Sequence, residues 1–158
     1  MLERVAIYFK DNNSKTRDGV DRLVDEFTRR GIRIRIYQKL INEATGSKWE
    51  IVRKFNGLTY NTELPNLVLS VGGDGTFLET VLKVKDMGIP IAGVNTGRMG
   101  FLANISADEI GNSIDMLCKG EYDIIGRCLL ELTKPPDIFE ENNSFALNEI
   151  AIQKAISV

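Results

Sequence analysis

The sequence contains no histidine among its 158 residues. Ser-His-Asp and Cys-His nucleophile systems are therefore excluded, and so are the usual zinc ligand sets. Any chemistry that the protein performs must rest on carboxylates, backbone amides, lysine side chains or a bound metal ion. We predict no metal site built by the protein alone.

Cysteine is also scarce, because Cys118 and Cys128 are the two cysteines of the chain and form no CxxC pair. This usage favours buried thiols in a reducing compartment over a disulfide or a metal site. The N-terminus lacks the basic and then apolar build of a signal peptide. Together these features predict a cytoplasmic protein.

Long apolar runs and an excess of charge of one sign are both absent. No run approaches the length of a membrane span, so we expect no membrane partner. With 20 basic and 22 acidic residues the formal net charge is −2, which predicts no nucleic-acid partner. The composition is 43% hydrophobic and 27% charged, which suits a chain that buries a core rather than a disordered one.

What is present is an alternation of strand and helix patterns over the first 120 residues. This order is typical of a doubly wound, Rossmann-like α/β fold with a parallel sheet. Ser106 and Glu109 stand in capping-box spacing at the start of the last helix. Predicted strands cover residues 4–9, 32–37, 67–71 and 89–95, and predicted helices cover 16–31, 76–88 and 106–120. The core face of the second helix is predicted to be Phe77, Leu78, Val81, Leu82 and Val84.

Two segments of this region have special patterns. The strand at 32–37 alternates strictly between apolar and cationic residues, which is typical of an edge strand. Arg33 and Arg35 could form a phosphate patch, but a solvated edge that deters further strand pairing is the favoured interpretation. The stretch SKWEIVRKF, residues 47–55, is predicted to be a short helix, and DNNSK at 11–15 is predicted to be a loop.

The pattern changes after Gly120. The stretches EYDIIGRCLLELT and FALNEIAIQKAISV are typical of strands, and the polar turn KPPDIFEENN joins them without a helix. We therefore predict an α/β domain over residues 1–120 and the start of an antiparallel, all-β domain over 121–158. Because the strand pattern continues to the last residue, this β domain is predicted to be incomplete.

Three glycines surround Asp74 in the stretch SVGGDGTFLE, residues 70–79, at the end of a predicted buried strand. A tight turn with an Asp cap accounts for one glycine and the acid, but not for all three glycines. A helix N-terminus favours an anion, and glycines let phosphate oxygens approach the backbone amides. We interpret the turn as a phosphate cradle whose acid accepts a proton from an attacking hydroxyl or holds a nucleotide's metal ion. The pattern is neither a Walker loop nor a Rossmann fingerprint.

Two further patterns follow. The stretch GVNTGRMGFLANIS comes after the next strand. Because the loops that follow parallel strands lie at the same edge of the sheet, residues 95–101 should lie beside the glycine turn. The apolar side chains of Phe101 and Leu102 have two equally good explanations, packing under this loop and contact with a ligand. In ALNEIAI, Asn148 and Glu149 are neighbours within an apolar strand and should point to opposite faces. An amide and a carboxylate together suit the vicinal hydroxyls of a ribose.

In this order, GGDGTFLET, GVNTGRMGFLANIS and ALNEIAI resemble the NAD kinase family. GGDGT alone is shared with diacylglycerol and sphingosine kinases and, as GGDG, with phosphofructokinases, so the two later patterns make the resemblance specific. The GTGND-like stretch expected of lipid kinases does not occur in the sequence. The resemblance is weak over residues 1–65 and strong over 67–152.

The resemblance implies transfer of a phosphoryl group from ATP, or another phosphate donor, to the adenosine ribose 2′-hydroxyl of NAD, which gives NADP. It also implies Mg²⁺ that comes with the nucleotide, and a homo-oligomer. Asp74 would be the catalytic residue that activates or orients the hydroxyl. The implied substrate-binding residues are Gly72, Gly73 and Thr76 in the phosphate cradle, Gly75 against the dinucleotide, Asn95 in the second loop, Phe101 near the adenine, and Asn148 and Glu149 at the NAD hydroxyls.

Two other functions remain open at this point. One is a different GGDGT-type kinase that acts on a lipid or a sugar. The other is a non-catalytic nucleotide-binding fragment, because members of the NAD kinase family are considerably longer and complete their site with a further Gly/Thr/Ser-rich loop.

Overall fold

The apolar runs of the first part of the chain form a parallel sheet in the computed structural model. The structure describes residues 2–37, 53–55, 63–97, 100–133 and 144–151. In these residues the sheet has six strands, in the order β3-β2-β1-β4-β5-β6. The strands are β1 (Arg4–Phe9), β2 (Arg33–Tyr37), β3 (Arg53–Phe55), β4 (Leu67–Gly72), β5 (Ile91–Asn95) and β6 (Ile105–Ser106).

The described residues of this part of the chain also form three helices: α1 (Ser14–Arg29) between β1 and β2, α2 (Asp74–Val84) between β4 and β5, and α3 (Ile110–Lys119) after β6. The side chain of Asn13 accepts a hydrogen bond from the Thr16 amide at 3.0 Å and so caps the start of α1. α1 buries the apolar stripe that its sequence period predicts. Gly120 ends α3 with a φ of 77°, a left-handed conformation that glycine adopts without strain.

Helices cover both faces of the sheet. On one face, Val5 and Ile7 of β1 share a core with residues of α1 and α3. On the other face, Ala6 and Val68 pack with Val84 of α2. Because successive residues of a strand point to opposite faces, the continuous apolar run of β1 serves both cores. The strand order and the two helical layers confirm the predicted doubly wound α/β fold.

The structure corrects the prediction that residues 32–37 form an edge strand. β2 pairs with β1 on one side and with β3 on the other. Its alternation has a different cause: Ile34 and Ile36 are buried, whereas Arg33 is exposed and Arg35 is half-buried on the polar side. The helix predicted over 47–55 is also wrong where it can be compared, because Arg53–Phe55 is a strand. The rest of that stretch lies outside the described residues.

Three smaller predictions are corrected in the helices. α2 buries Thr76, Thr80, Val81 and Val84, while its other apolar residues, Phe77, Leu78 and Leu82, are only half-buried. The capping box fails because a 3₁₀ turn, Ala107–Glu109, precedes α3, and neither Ser106 nor Glu109 makes a side-chain cap. The thiols are not both buried, since Cys118 is half-buried and Cys128 is exposed.

The contacts divide the chain into two units, Met1–Ile124 and Ile125–Val158. The second unit contains a small antiparallel pair, β7 (Leu130–Glu131) and β8 (Phe145–Ala146). β8 ends before Asn148 and Glu149, so these two residues are not inside a strand as predicted. The strand predicted from residue 121 is reduced to β7, and residues 121–129 have no regular structure. None of the helices described is long and apolar enough to cross a membrane.

Candidate functional site

The glycine turn lies between β4 and α2. Gly72 ends the strand with a φ of +153°, and a Cβ at this position would overlap the side chain of Thr76. Packing therefore explains this glycine. By contrast, a Cβ on Gly73 or Gly75 would meet no described atom within 4 Å. These two glycines leave open space above the start of α2, where free backbone N–H groups attract an anion.

The carboxylate of Asp74 joins the glycine turn to the second loop. Its Oδ2 accepts a hydrogen bond from the amide of Phe101 at 2.8 Å. Its Oδ1 accepts from the amides of Leu102 at 3.0 Å and Ala103 at 3.3 Å. A Cβ on Gly100 would overlap this carboxylate, so the loop can approach only because residue 100 is glycine. The two loops thus meet at one edge of the sheet, as the parallel topology predicts.

These hydrogen bonds fix the charge state of Asp74. The amides of Phe101 and Leu102, with a smaller contribution from Ala103, lower the pKa of the carboxyl group, although partial burial opposes the shift. Asp74 is therefore ionised at neutral pH and is a weaker proton acceptor than an ordinary aspartate. The arrangement is better suited to orienting a substrate hydroxyl than to removing the proton of that hydroxyl early in the reaction.

Asn95 shapes the second loop from within. It is buried at the end of β5, where its Oδ1 accepts a hydrogen bond from the Gly97 amide at 2.7 Å. Its Nδ2 donates to the carbonyl oxygen of Ala103 at 3.4 Å. Behind it, Gly93 is required because a Cβ there would overlap Ala103. In this structure the Asn95 side chain holds the loop that Asp74 also contacts.

Phe101 is 98% exposed although its own amide is held by Asp74. Packing under the loop therefore does not account for this ring among the described residues, whereas Leu102 is half-buried. A large apolar side chain on a fixed backbone beside a glycine turn is suited to stack against a planar ligand. Arg98 and Met99 of the same loop lie outside the described residues.

A cavity of about 460 Å³ opens beside the turn. It lies where the strand order reverses between β1 and β4, which is the place where ligands bind in open α/β sheets. The glycine turn forms one wall, and the loop from β1 to α1 forms the opposite wall. The lining residues used below are Asp11, Asn13, Lys15, Gly72, Gly73 and Thr76.

Residues 11–15 were predicted to be a loop and were not among the candidates, but Ser14 and Lys15 belong to the first turn of α1. The structure brings Asn13 and Lys15 into the cavity wall together with the N-terminus of α1. A polar N-cap and a lysine at the carboxyl end of the first strand were the available signal. Asn148 and Glu149 belong to the second unit, where both are exposed beyond the end of β8.

The fold and this edge of the sheet define the class of protein: a doubly wound α/β protein with a cavity at its topological switch point. Residues 5–122 match the model of the ATP-NAD kinase N-terminal domain. This match extends over more than half of the chain. The chain therefore belongs to the NAD kinase family, as its three motifs predict.

Named relatives agree with this assignment. The NAD kinase of Cytophaga hutchinsonii is 43% identical over 102 residues, which cover 63% of this chain and 35% of the relative. The NAD kinase of Flavobacterium psychrophilum is 29% identical over 157 residues, which cover 96% of this chain and 52% of the relative. The chain thus spans about a third to a half of the curated relatives that it matches.

A solved structure has the same fold. The crystal structure of yeast NADH kinase complexed with NADH superposes with a TM-score of 0.64 at 17% sequence identity. The match covers 82% of this chain and 42% of the yeast chain. At this level of identity the similarity supports the architecture of the sheet and helices.

Proposed function

We propose that this chain carries the glycine-turn part of an NAD kinase active site, which transfers a phosphoryl group from ATP to the adenosine ribose 2′-hydroxyl of NAD. The observation that carries the proposal is the binding of three amides of the second loop by Asp74. It joins the GGDGT motif to the motif that separates NAD kinases from other GGDGT kinases. The two thereby form one site.

The donor phosphates belong in the cavity between β1 and β4. Gly73 presents open backbone at the start of α2, and Lys15 supplies a cation from the opposite wall. Magnesium would arrive with the nucleotide, since within the described ranges no cluster of acidic or cysteine side chains could hold a metal alone. Asp11 lines the cavity and offers the kind of oxygen that this ion prefers.

Asp74 orients the acceptor hydroxyl in this proposal. The 2′-oxygen forms a bond to the γ-phosphorus, the bond from that phosphorus to its bridging oxygen breaks, and ADP leaves. Because the transition state of such transfers is loose, positioning and charge stabilisation matter more than early proton removal. Once the new bond has formed, the hydroxyl proton passes to the Asp74 carboxylate and from there to solvent, and this late transfer is consistent with a carboxylate whose pKa is lowered.

The remaining roles are assigned by the same proposal. Gly75 lies against the dinucleotide, and the exposed ring of Phe101 packs against the adenine. Asn148 and Glu149 bind hydroxyl groups of NAD. The proposal also includes ATP as donor, assembly into a homo-oligomer and a cytoplasmic location, and membership of the family supports these assignments.

The proposal is tested by comparing NAD, diacylglycerol and fructose 6-phosphate as acceptors with ATP and Mg²⁺, and by titrating NAD. Formation of NADP supports it, and phosphorylation of either other acceptor in its place contradicts it. Saturable binding of NAD without any turnover favours a non-catalytic nucleotide-binding chain.

Gly75→Ala is the most informative variant for this test. Alanine stabilises helices relative to glycine by up to about 1 kcal/mol, and no described atom obstructs a Cβ at this position. We expect the variant to fold at least as stably as the parent and to bind NAD more weakly. Gly111→Ala, at a glycine inside α3, is the matched control that should leave NAD binding unchanged.

A further inference from the structure

Three arginines converge on one carboxylate at the amino ends of β1 and β2. Arg33 Nη1 lies 2.9 Å and 3.2 Å from the two carboxylate oxygens of Glu63. Arg4 Nη1 lies 3.4 Å from Oε1, and Arg35 Nη2 lies 3.5 Å from Oε2. We call this set of four residues, Arg4, Arg33, Arg35 and Glu63, the arginine cluster.

The cluster has more positive charge than its carboxylates neutralise. Glu3, 3.6 Å from Arg4, is the only other acid that makes an ion pair with these arginines among the described residues. Three guanidinium groups thus face two carboxylates. Burial would raise the pKa of Glu63, but the charges of Arg33, Arg4 and Arg35 lower it, so Glu63 is ionised. Even so, counted over the part of the chain that the structure describes, the cluster has one more positive charge than negative.

The cluster is also held in place by the surrounding chain. Arg4 Nε donates to the carbonyl oxygen of Leu64 at 2.9 Å. The side chain of Asn66 accepts from the amides of Glu3 and Arg4, both at 3.0 Å. The Arg35 and Arg4 side chains are only 19% and 27% exposed. Water therefore screens their charges less than it screens those of ordinary surface arginines.

Deterring strand pairing does not explain these arginines, because β2 is paired on both sides. A cavity of about 270 Å³ lies beside them, lined by the arginine cluster together with Val5, Ile34 and Pro65. It is at the opposite end of β1 from the Asp74 turn. The five residue-to-residue steps of β1, from Arg4 to Phe9, separate its two ends by about 16 Å.

We propose that this cavity is an anion site that binds a small phosphate-bearing compound, in which Glu63 occupies the position of the phosphate oxygens. Guanidinium groups can bind phosphate with two parallel hydrogen bonds. In this structure a single nitrogen of Arg33, Nη1, donates to both carboxylate oxygens of Glu63. The volume is small for a dinucleotide and suits a compact phosphorylated ligand. The site goes beyond the proposed kinase activity and does not depend on it.

The test uses inorganic phosphate as the probe and ¹⁵N amide chemical shifts of this chain as the readout, so no turnover is needed. We expect saturable shifts at Arg4, Arg33, Arg35 and Glu63. Removing one guanidinium by Arg33→Ala should weaken binding about tenfold, and Arg35→Ala should do the same. Glu63→Gln removes the competing charge and should tighten binding about fivefold.

Matched controls come from α1, where Glu26 accepts hydrogen bonds from Arg29 and Arg30 without a cavity among those described. Arg29→Ala and Glu26→Gln should leave phosphate binding unchanged. If the Arg35→Ala variant does not fold, the Arg33→Ala variant still tests the proposal. The Arg33 side chain is 55% exposed, so its removal should not prevent folding. The proposal is overturned if no amide signal shifts saturably, or if the shifts are confined to Gly72, Gly73 and Thr76. So does a Glu63→Gln variant that binds phosphate more weakly than the parent.

Discussion

At the residue scale, the structure changes the role expected of Asp74. The sequence pattern indicated an acid inside a phosphate cradle, which raised the question of why repulsion would not exclude the phosphate. In the structure the carboxylate accepts hydrogen bonds from three amides of the neighbouring loop, and these bonds offset much of its repulsion of a phosphate. Such a contact between residues 74 and 101–103 depends on tertiary structure and could not be read from either motif separately.

The lowered pKa of Asp74 gives a prediction for pH. A carboxyl group with a lowered pKa in the folded state stabilises its contacts above its unfolded pKa, and loses that effect as the pH falls through the folded pKa. The amide signals of Phe101 and Leu102 should therefore be constant from neutral pH to pH 5 and shift only below about pH 4. A pH titration by ¹⁵N NMR measures this.

Asp74→Asn serves as the control for the titration. Its side-chain amide has one oxygen and one NH₂ group, so the Phe101 amide loses its acceptor while the Leu102 and Ala103 amides keep theirs. The Phe101 signal should be displaced at every pH and show no transition. A midpoint at or above the ordinary aspartate value of about 3.9 in the parent chain would mean that the amides do not hold the carboxylate in solution.

At the element scale, the sequence predicted the elements whose own residues carry a clear apolar pattern. β1 and β4 follow from their unbroken apolar runs, and α1 follows from its apolar period. β2 was misassigned to an edge because its partner β3 comes from a segment with no strand pattern of its own. A cationic face on a strand signals an open face or an open edge, and the sequence does not distinguish between them.

α2 also differs from its apolar pattern, because a polar pair lies under it. Thr80 Oγ1 is 2.8 Å from Ser70 Oγ of β4 and 2.8 Å from the carbonyl oxygen of Thr76. Both Ser70 and Thr80 are buried. Hydroxyl groups that hydrogen-bond to one another can be buried without leaving an unpaired polar atom. The spacing of apolar residues in the sequence does not reveal this pairing.

Thr80→Val tests the energy of this pair. The substitution preserves the shape of the side chain but leaves the buried Ser70 hydroxyl without its partner, so the free energy of unfolding should fall by about 1–3 kcal/mol. Denaturant unfolding measures it. Adding Ser70→Ala should recover most of the loss, because both polar groups are then gone. If the double variant is no more stable than Thr80→Val alone, the pair is not the source of the stability.

At the scale of the whole molecule, the candidate cavity depends on strands that are far apart in sequence. β1 and β4 are adjacent in the sheet although about sixty residues separate them in the chain. Their pairing brings the loop at residues 10–13 opposite the glycine turn. The fold class and the turn could thus be predicted from the sequence, whereas the second wall of the cavity required the strand order.

Lys15 is the residue through which this second wall can be tested. It is exposed at the start of α1 and lines the cavity opposite Gly72 and Gly73. If the donor phosphates lie there, Lys15→Ala removes a charged hydrogen bond and should weaken ATP binding about tenfold, while NAD binding stays within a factor of two or so. Isothermal titration calorimetry with each nucleotide separately makes the comparison.

Lys119→Ala is the matched control, because Lys119 is an exposed lysine in the last turn of α3 and does not line the cavity. It should change neither affinity. The difference between the parent and Lys15→Ala should shrink as salt is added, since added ions screen an exposed charge. If Lys15→Ala and Lys119→Ala lower ATP affinity equally, the effect comes from net charge rather than from the cavity. The donor phosphates must then be bound without the side chain of Lys15.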